Sequence, residues 1–283
     1  MLRLTGTGPG DTRGRPRPLR AGLVSIRSLL RSLPLLFSRP PGTPLRVLCI
    51  VALDAIHELR YSQPLPRRRR RELATFLDFQ ACTNALWDHK PLCTAEYQVL
   101  RQRLEQDGLG SWITEYVCRL GELERGRPSI GGDPRRFDDV RAYREAVVRL
   151  SLAAVTGIAL NAGCLEEALR TTDCDPDLAV LFRMAMQCQI IDDVVDYRKD
   201  LSGSLPSFLT ASSSLPYCLA ATARASRAYQ VSLEDRGVLP LRMALRLLTA
   251  LASLTVLVAP RLLPGRQGDG EPDDNLARVT PKS

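Results

Sequence analysis

The sequence predicts an all-α protein, a single-domain helical bundle. Three observations carry this. Leu, Ala and Arg are abundant while aromatic residues make up 5% of the chain, a balance that favours helix over sheet. Apolar residues recur at helical spacing in one segment after another. No stretch alternates apolar and polar residues over a convincing strand length, and no internal repeat is visible. With 283 residues, 45% of them hydrophobic, the chain can bury a sizeable core, and roughly eight helices in one dominant domain are expected.

The elements follow in order. Residues 1–44 are basic, rich in Gly and Pro, and read as a disordered segment, with Gly22–Phe37 as a candidate short amphipathic helix. They hold no uninterrupted apolar core before a small-residue cleavage site, which argues against a secretory signal. Order is expected from Leu45, and residues 45–264 form the helical domain. Leu45–Arg60 (LRVLCIVALDAIHELR) has the apolar spacing of a buried helix. Pro64 and Pro66 break it, and Arg67–Arg71 follow as a basic run, read as a solvated or membrane-facing patch. The next helix is expected from Glu72 to His89, ending before Pro91. Thr94–Gln106 keeps the helical period, and Gly108–Gly110 stops it. Ser111 is placed to cap the helix that carries Trp112, Tyr116 and Leu120. Gly126–Pro134 (GRPSIGGDP) reads as a loop. A long helix over Phe137–Ala162 has Gly163 as its C-cap. Asp175 is the expected N-cap, and Pro176 the first position, of a helix reaching Lys199. Helices over Pro216–Val231 and Pro240–Leu263 complete the domain, and residues 265–283 read as a disordered tail.

Composition narrows the function. The net charge of +8 suits an anionic partner: a diphosphate, a nucleic acid or a membrane surface. Eight cysteines include no Cys-x-x-Cys pair, and the chain has two histidines, so a zinc site is not expected. Thiols inside apolar helical patterns behave as small hydrophobes and point to a reducing cytoplasm. The longest apolar run, Leu247–Pro260, is shorter than the roughly 20 residues a bilayer span needs. It reads as a buried or surface-lying helix, and the multi-span membrane enzymes are excluded.

The chemistry is concentrated in Gln189–Asp200, QIIDDVVDYRKD. At about 100° per residue, Asp192, Asp193, Asp196, Asp200 and Gln189 fall within one arc about 100° wide. Ile190 and Val194 take the opposite side. Carboxylates this close repel one another, and an apolar wall raises their pKa values unless cations neutralise them. Mg2+ is the natural cation: it prefers oxygen ligands and is usually held by one or two carboxylates plus substrate phosphates.

These residues resemble the second aspartate-rich motif of the class I isoprenoid (terpenoid) synthase superfamily, the all-α trans-prenyltransferases and squalene/phytoene synthases. Gln189, Asp192, Asp193, Asp196 and Asp200 match its pattern, and Ser202–Ala211 (SGSLPSFLTA) resembles the stretch that follows it. The resemblance is close over Gln187–Ala211 and loose over Leu45–Leu263. It implies a helical bundle around a central apolar cavity, with two acidic helices holding Mg2+ across its mouth. The metals grip a prenyl diphosphate, which ionises to an allylic carbocation for condensation or cyclisation. Asp192, Asp193 and Asp196 are the implied catalytic residues, and they are metal ligands together with Asp200. The facing motif corresponds to Asn84–Asp88 (NALWD), where Asp88 and Asn84 share a helix face and are the remaining metal ligands. Asp78 lies on another side of that helix. The paired arginine that often follows the first motif is replaced by His89 and Lys90, and Ser204 stands where a lysine is usual. These departures favour squalene/phytoene-type condensation or cyclisation beside polyprenyl elongation. Arg198, Lys199, Gln189 and Arg144 are the candidate diphosphate contacts, and Tyr143 and Gly157 the candidate cavity residues.

The expected partners are a prenyl diphosphate and, through the basic surface, an anionic membrane at the periphery. A homodimer is left open. Nucleic acid is not expected, because an acidic face repels phosphates and no aromatics are interleaved for stacking. The alternative is a catalytically weakened helical interaction protein, or an anionic-surface or nucleic-acid binder using the Arg excess.

Overall fold

The computed structural model describes residues 23–24, 26–28, 30–31, 44–88, 94–131, 136–232 and 238–263. Among them every regular element is a helix. These are α1 (Pro44–Tyr61), α2 (Arg67–Trp87), α3 (Thr94–Gln106), α4 (Gly110–Arg125) and α5 (Arg136–Leu160). They continue with α6 (Leu165–Cys174), α7 (Pro176–Val195), α8 (Tyr197–Ser202), α9 (Leu215–Ala228) and α10 (Leu239–Leu262). Residues 1–22, 32–43 and 265–283, expected to be disordered, lie outside the described residues, as do His89, Lys90 and residues 132–134 of the expected loop. Within the N-terminal segment, however, residues 23–24, 26–28 and 30–31 are helical. Val24 and Ser28 are buried there, and Arg31 Nη2 bonds Asp54 Oδ2 on α1 at 2.7 Å.

Several boundaries differ from expectation, each for a local reason. Helix α2 starts at Arg67 rather than Glu72, so the arginine run is its first turns. Cations oppose the positive end of a helix dipole, and specific partners offset this. Glu72, 2% exposed, accepts from Arg68 Nε at 2.7 Å and from Arg69 Nη1 at 2.9 Å. Arg70 Nη1 donates to the Arg31 carbonyl at 3.3 Å. Ser111 does not cap α4: Leu109 holds the N-cap position, and no side chain bonds there. Gly163 does not end α5. Asn161 takes the left-handed position at φ 58°, and Ala162 N donates to Gly157 O at 2.9 Å, the closing bond of a Schellman turn. Gly163 N instead bonds Glu167 Oε2 at 2.8 Å at the start of α6, a helix the sequence pattern did not separate.

Asp175 caps α7 as expected, its side chain accepting from Asp177 N at 3.0 Å and Leu178 N at 3.1 Å. The helix bends at Asp196 instead of running on to Lys199. Asp196 N to Asp192 O (2.7 Å) and Asp200 N to Asp196 O (2.9 Å) carry the chain across the bend into α8.

Two apolar clusters share α7 as a common wall. One joins Leu178, Val180, Leu181 and Met184 of α7 to residues of α1–α6, among them Leu53, Phe76 and Tyr116. The other joins Met186, Ile190 and Val194 to Phe137, Phe208 and residues of α9. Helix α10 also contributes to both, Leu241 and Leu245 to the first and Ala252, Val256 and Ala259 to the second. The two helices therefore run parallel. Val238 N bonds Asp177 Oδ1 at 2.8 Å at the start, and Gln187 Nε2 bonds Thr249 Oγ1 at 3.2 Å midway.

Candidate functional site

The C-terminal half of α7 carries the acidic motif, and its arc splits into two edges. On the inner edge Asp193 is 1% and Asp200 7% exposed. On the outer edge Asp192 is exposed and Asp196 half-buried. A wheel predicts the shared arc, but it cannot show which edge meets the rest of the protein.

The inner edge is tied down by the chain itself. Asp193 Oδ1 accepts from Gln189 Nε2 at 2.8 Å and from Arg144 Nη2 at 3.2 Å, and its Oδ2 accepts from Phe208 N at 2.7 Å. Burial pushes the Asp193 carboxyl up, and these three donors oppose the shift. The Asp200 carboxyl is pushed up to about 6, first by burial and then by the charge of Asp193, against Arg144 and a hydrogen bond from Ser207. Phe208 and Ser207 belong to the loop after α8, which folds back over the acids. Thr210 Oγ1 closes that loop by accepting from Ser207 N at 2.8 Å and donating to Leu205 O at 2.7 Å. Residues of Ser202–Ala211 thus hold Asp193 and Asp200 in place. Ser204 in this loop has φ 53°, a left-handed conformation that is uncommon outside glycine.

Arg144 is the hub. Burial disfavours its charge, but Asp193, Tyr143, Asp200 and Asp88 together hold it above its ordinary range. Asp88, the C-cap of α2, is therefore within electrostatic reach of the α7 acids through Arg144. Asp88 Oδ1 accepts from Arg127 Nη2 at 2.9 Å. Tyr143 OH donates to Glu124 Oε1 at 2.7 Å, and Glu124 also lies 3.5 Å from Arg127 Nη1. Five helices meet here: the end of α2, the end of α4 with the loop behind it, α5, α7 and α8. The Nε atoms of Arg144 and Arg127 are buried without a hydrogen-bond partner. Such donors are costly to leave unmade.

Arg127 and Glu124 were not singled out in the sequence. Arg127 sits in a Gly/Pro-rich loop 39 positions from Asp88, and no local pattern links the two.

The other candidates divide as follows. Lys199 pairs with Asp196, and Arg198 is exposed. Asn84 is exposed, and its carbonyl accepts from Asp88 N at 3.0 Å. Asp78 pairs with Arg46 of α1 at 3.2 Å, apart from this cluster. Gly157 is buried in helix packing: a Cβ there would stand 2.3 Å from the Trp112 ring. Tyr143 is engaged with Glu124 rather than lining an apolar wall. An apolar cavity of about 230 Å³ lies between α2, α3 and α4, lined by Phe79, Tyr97, Ile113 and Val117 among others.

Among the described residues no group of three or more His, Cys, Asp or Glu is arranged to hold a metal ion. The outer pair, Asp192 and Asp196, matches the one or two carboxylates that Mg2+ takes when substrate phosphates complete its shell. Of these two, Asp196 is engaged by Lys199. In comparisons with known proteins, the chain matches no family model, no curated protein and no solved structure.

Proposed function

We propose that the chain is an isoprenoid synthase-like enzyme that binds a prenyl diphosphate with Mg2+ and ionises it to an allylic carbocation for condensation or cyclisation. The observation that carries this reading is the convergence of Arg144 and Arg127, their Nε atoms buried and unbonded, with Asp88, Asp193 and Asp200. Donors of this kind beside carboxylates suit a group that is itself an anion bound with a cation, as a metal-bound diphosphate is.

The roles follow from exposure. Asp192 and Asp196 on the outer edge would hold Mg2+, with Asp88 and Asn84 opposite. Mg2+ supplies charge neutralisation for the departing diphosphate. Arg144 and Arg127 would donate to diphosphate oxygens, joined by Lys199 and Arg198 from the surface. Asp193, Asp200 and Gln189 position Arg144 rather than touch the substrate.

One observation favours a second reading. Arg144 already pairs with the buried Asp193, and burial favours the neutral form of Asp200, so the cluster is stable as a purely structural feature, as in a non-catalytic helical interaction protein. Calorimetry with inorganic pyrophosphate separates the two. The enzyme reading expects binding that needs Mg2+, is lost on chelation, and weakens by about 100-fold in D192A/D196A, a change of roughly 2.7 kcal/mol. Incubation with geranyl, farnesyl or geranylgeranyl diphosphate should release pyrophosphate and a hydrocarbon or longer prenyl product. Binding that is indifferent to Mg2+ and to both alanines, with no turnover, sinks the proposal.

A further inference from the structure

Helix α10 has two apolar sides. Leu241, Leu245, Ala252, Val256 and Ala259 face the core and are buried. On the other side Leu239, Met243, Leu247, Leu251, Leu254 and Leu257 are 48%, 47%, 71%, 49%, 55% and 74% exposed. At 100° and 1.5 Å per residue these six form a ridge about 27 Å long within an arc of about 120°. A continuous row of large apolar side chains on the outside marks a contact surface.

Charge identifies what meets it. The helix contains no Asp or Glu, and its ionisable residues are Arg242, Arg246 and Arg261. A second copy packed on this ridge by a two-fold axis would present the same patch from both sides, bringing arginines together without an acid. An anionic lipid surface is complementary: the leucines enter the acyl boundary, and the arginines reach the phosphates. The arginine run at 67–71 is the weaker candidate for lipid, because Arg68, Arg69 and Arg70 are engaged within the protein.

By length and composition α10 is also a candidate span over Leu239–Arg261, longer than the run visible in the sequence because it includes Arg242 and Arg246. Its inner face is nevertheless committed to α7 through both cores and the Gln187–Thr249 bond. Crossing a bilayer would strip those contacts. That bond also sets the register: eight residues on, Leu257 stands level with Val195, itself 72% exposed, at the end of the acidic helix.

The geometry points to α10 as an in-plane docking helix that rests its Leu247–Leu257 ridge on an anionic bilayer, with Arg246 and Arg261 at the lipid phosphates. This is independent of the enzyme reading. Flotation of the full chain with phosphatidylcholine vesicles, with and without phosphatidylglycerol, tests it. Binding is expected with phosphatidylglycerol, released by alkaline carbonate. L247Q/L254Q/L257Q should lower partitioning by about tenfold or more, and R246Q/R261Q by a similar factor, with circular dichroism and pyrophosphate binding as in the parent. The proposal is overturned if the parent ignores anionic vesicles, if both variants float like the parent, or if carbonate fails to extract the protein. It is also overturned if the leucine variant turns a dimer into a monomer in light scattering while vesicle binding persists.

Discussion

At the scale of single residues, the acidic motif divides its labour between two edges of the α7–α8 segment. Asp193 and Asp200 face inward, Asp193 paired with Arg144 and Asp200 beside them, while Asp192 is exposed and Asp196 half-buried on the outer edge. Asp200 offers a direct check. Its carboxyl is raised in the fold to about 6 from an ordinary 3.8, so the fold prefers its neutral form. The associated stability is present in full below about pH 4 and is lost as the pH rises through about 6. Asp200→Asn should therefore stabilise the chelated protein at pH 7 by about 1–3 kcal/mol and leave it nearly unchanged at pH 4. Urea melts of the two proteins at both pH values check this, and a less stable variant at pH 7 contradicts it. The arc of Asp and Gln was legible in the sequence because it needs only helical spacing. Arg144 was legible as a candidate cation. Its pairing with Asp193, 49 positions away, and the Arg127–Asp88 bond depend on how the helices pack, which no local pattern encodes.

At the scale of elements, α5 shows how a small residue is used. Gly157 lets the Trp112 ring of α4 lie against the α5 backbone, with Ala168 of α6 close behind. Gly157→Ala would set a Cβ 2.3 Å from that ring, and overpacking of this kind costs about 1–3 kcal/mol. A thermal melt should show the loss, and a shift in Trp112 fluorescence should accompany it. An unchanged melting temperature would mean that the ring has room to move. In the sequence, Gly157 among Ala and Thr fitted either a tunnel wall or close packing, since both need a small residue. The α7 start was readable because Asp175 and Pro176 have their own backbone logic. The α2 start was not, because the stabilising partners of the arginines, Glu72 and the Arg31 carbonyl, outweigh the dipole penalty that the sequence suggests.

At the scale of the whole molecule, class was legible and topology was not. Composition and spacing predict helices, but not that α7 and α10 run parallel and thread both apolar clusters. That arrangement should make the clusters melt together. In a Trp87→Phe background, Trp112 fluorescence reports the first cluster and far-ultraviolet circular dichroism reports all the helices, and their denaturation curves should coincide. Separate midpoints would show that the clusters unfold independently.

The hold of Arg31 on α1 has a practical corollary. Asp54 is fully enclosed, with Oδ1 accepting from Leu65 N at 2.8 Å and Oδ2 from Arg31 Nε at 3.0 Å and Nη2 at 2.7 Å. A recombinant version trimmed to begin at α1 would keep this aspartate and delete its counterion, stranding a negative charge beneath the surface. Domain boundaries drawn for expression should therefore begin upstream of the short helical clasp, even though its Gly- and Pro-rich surroundings invite a cut.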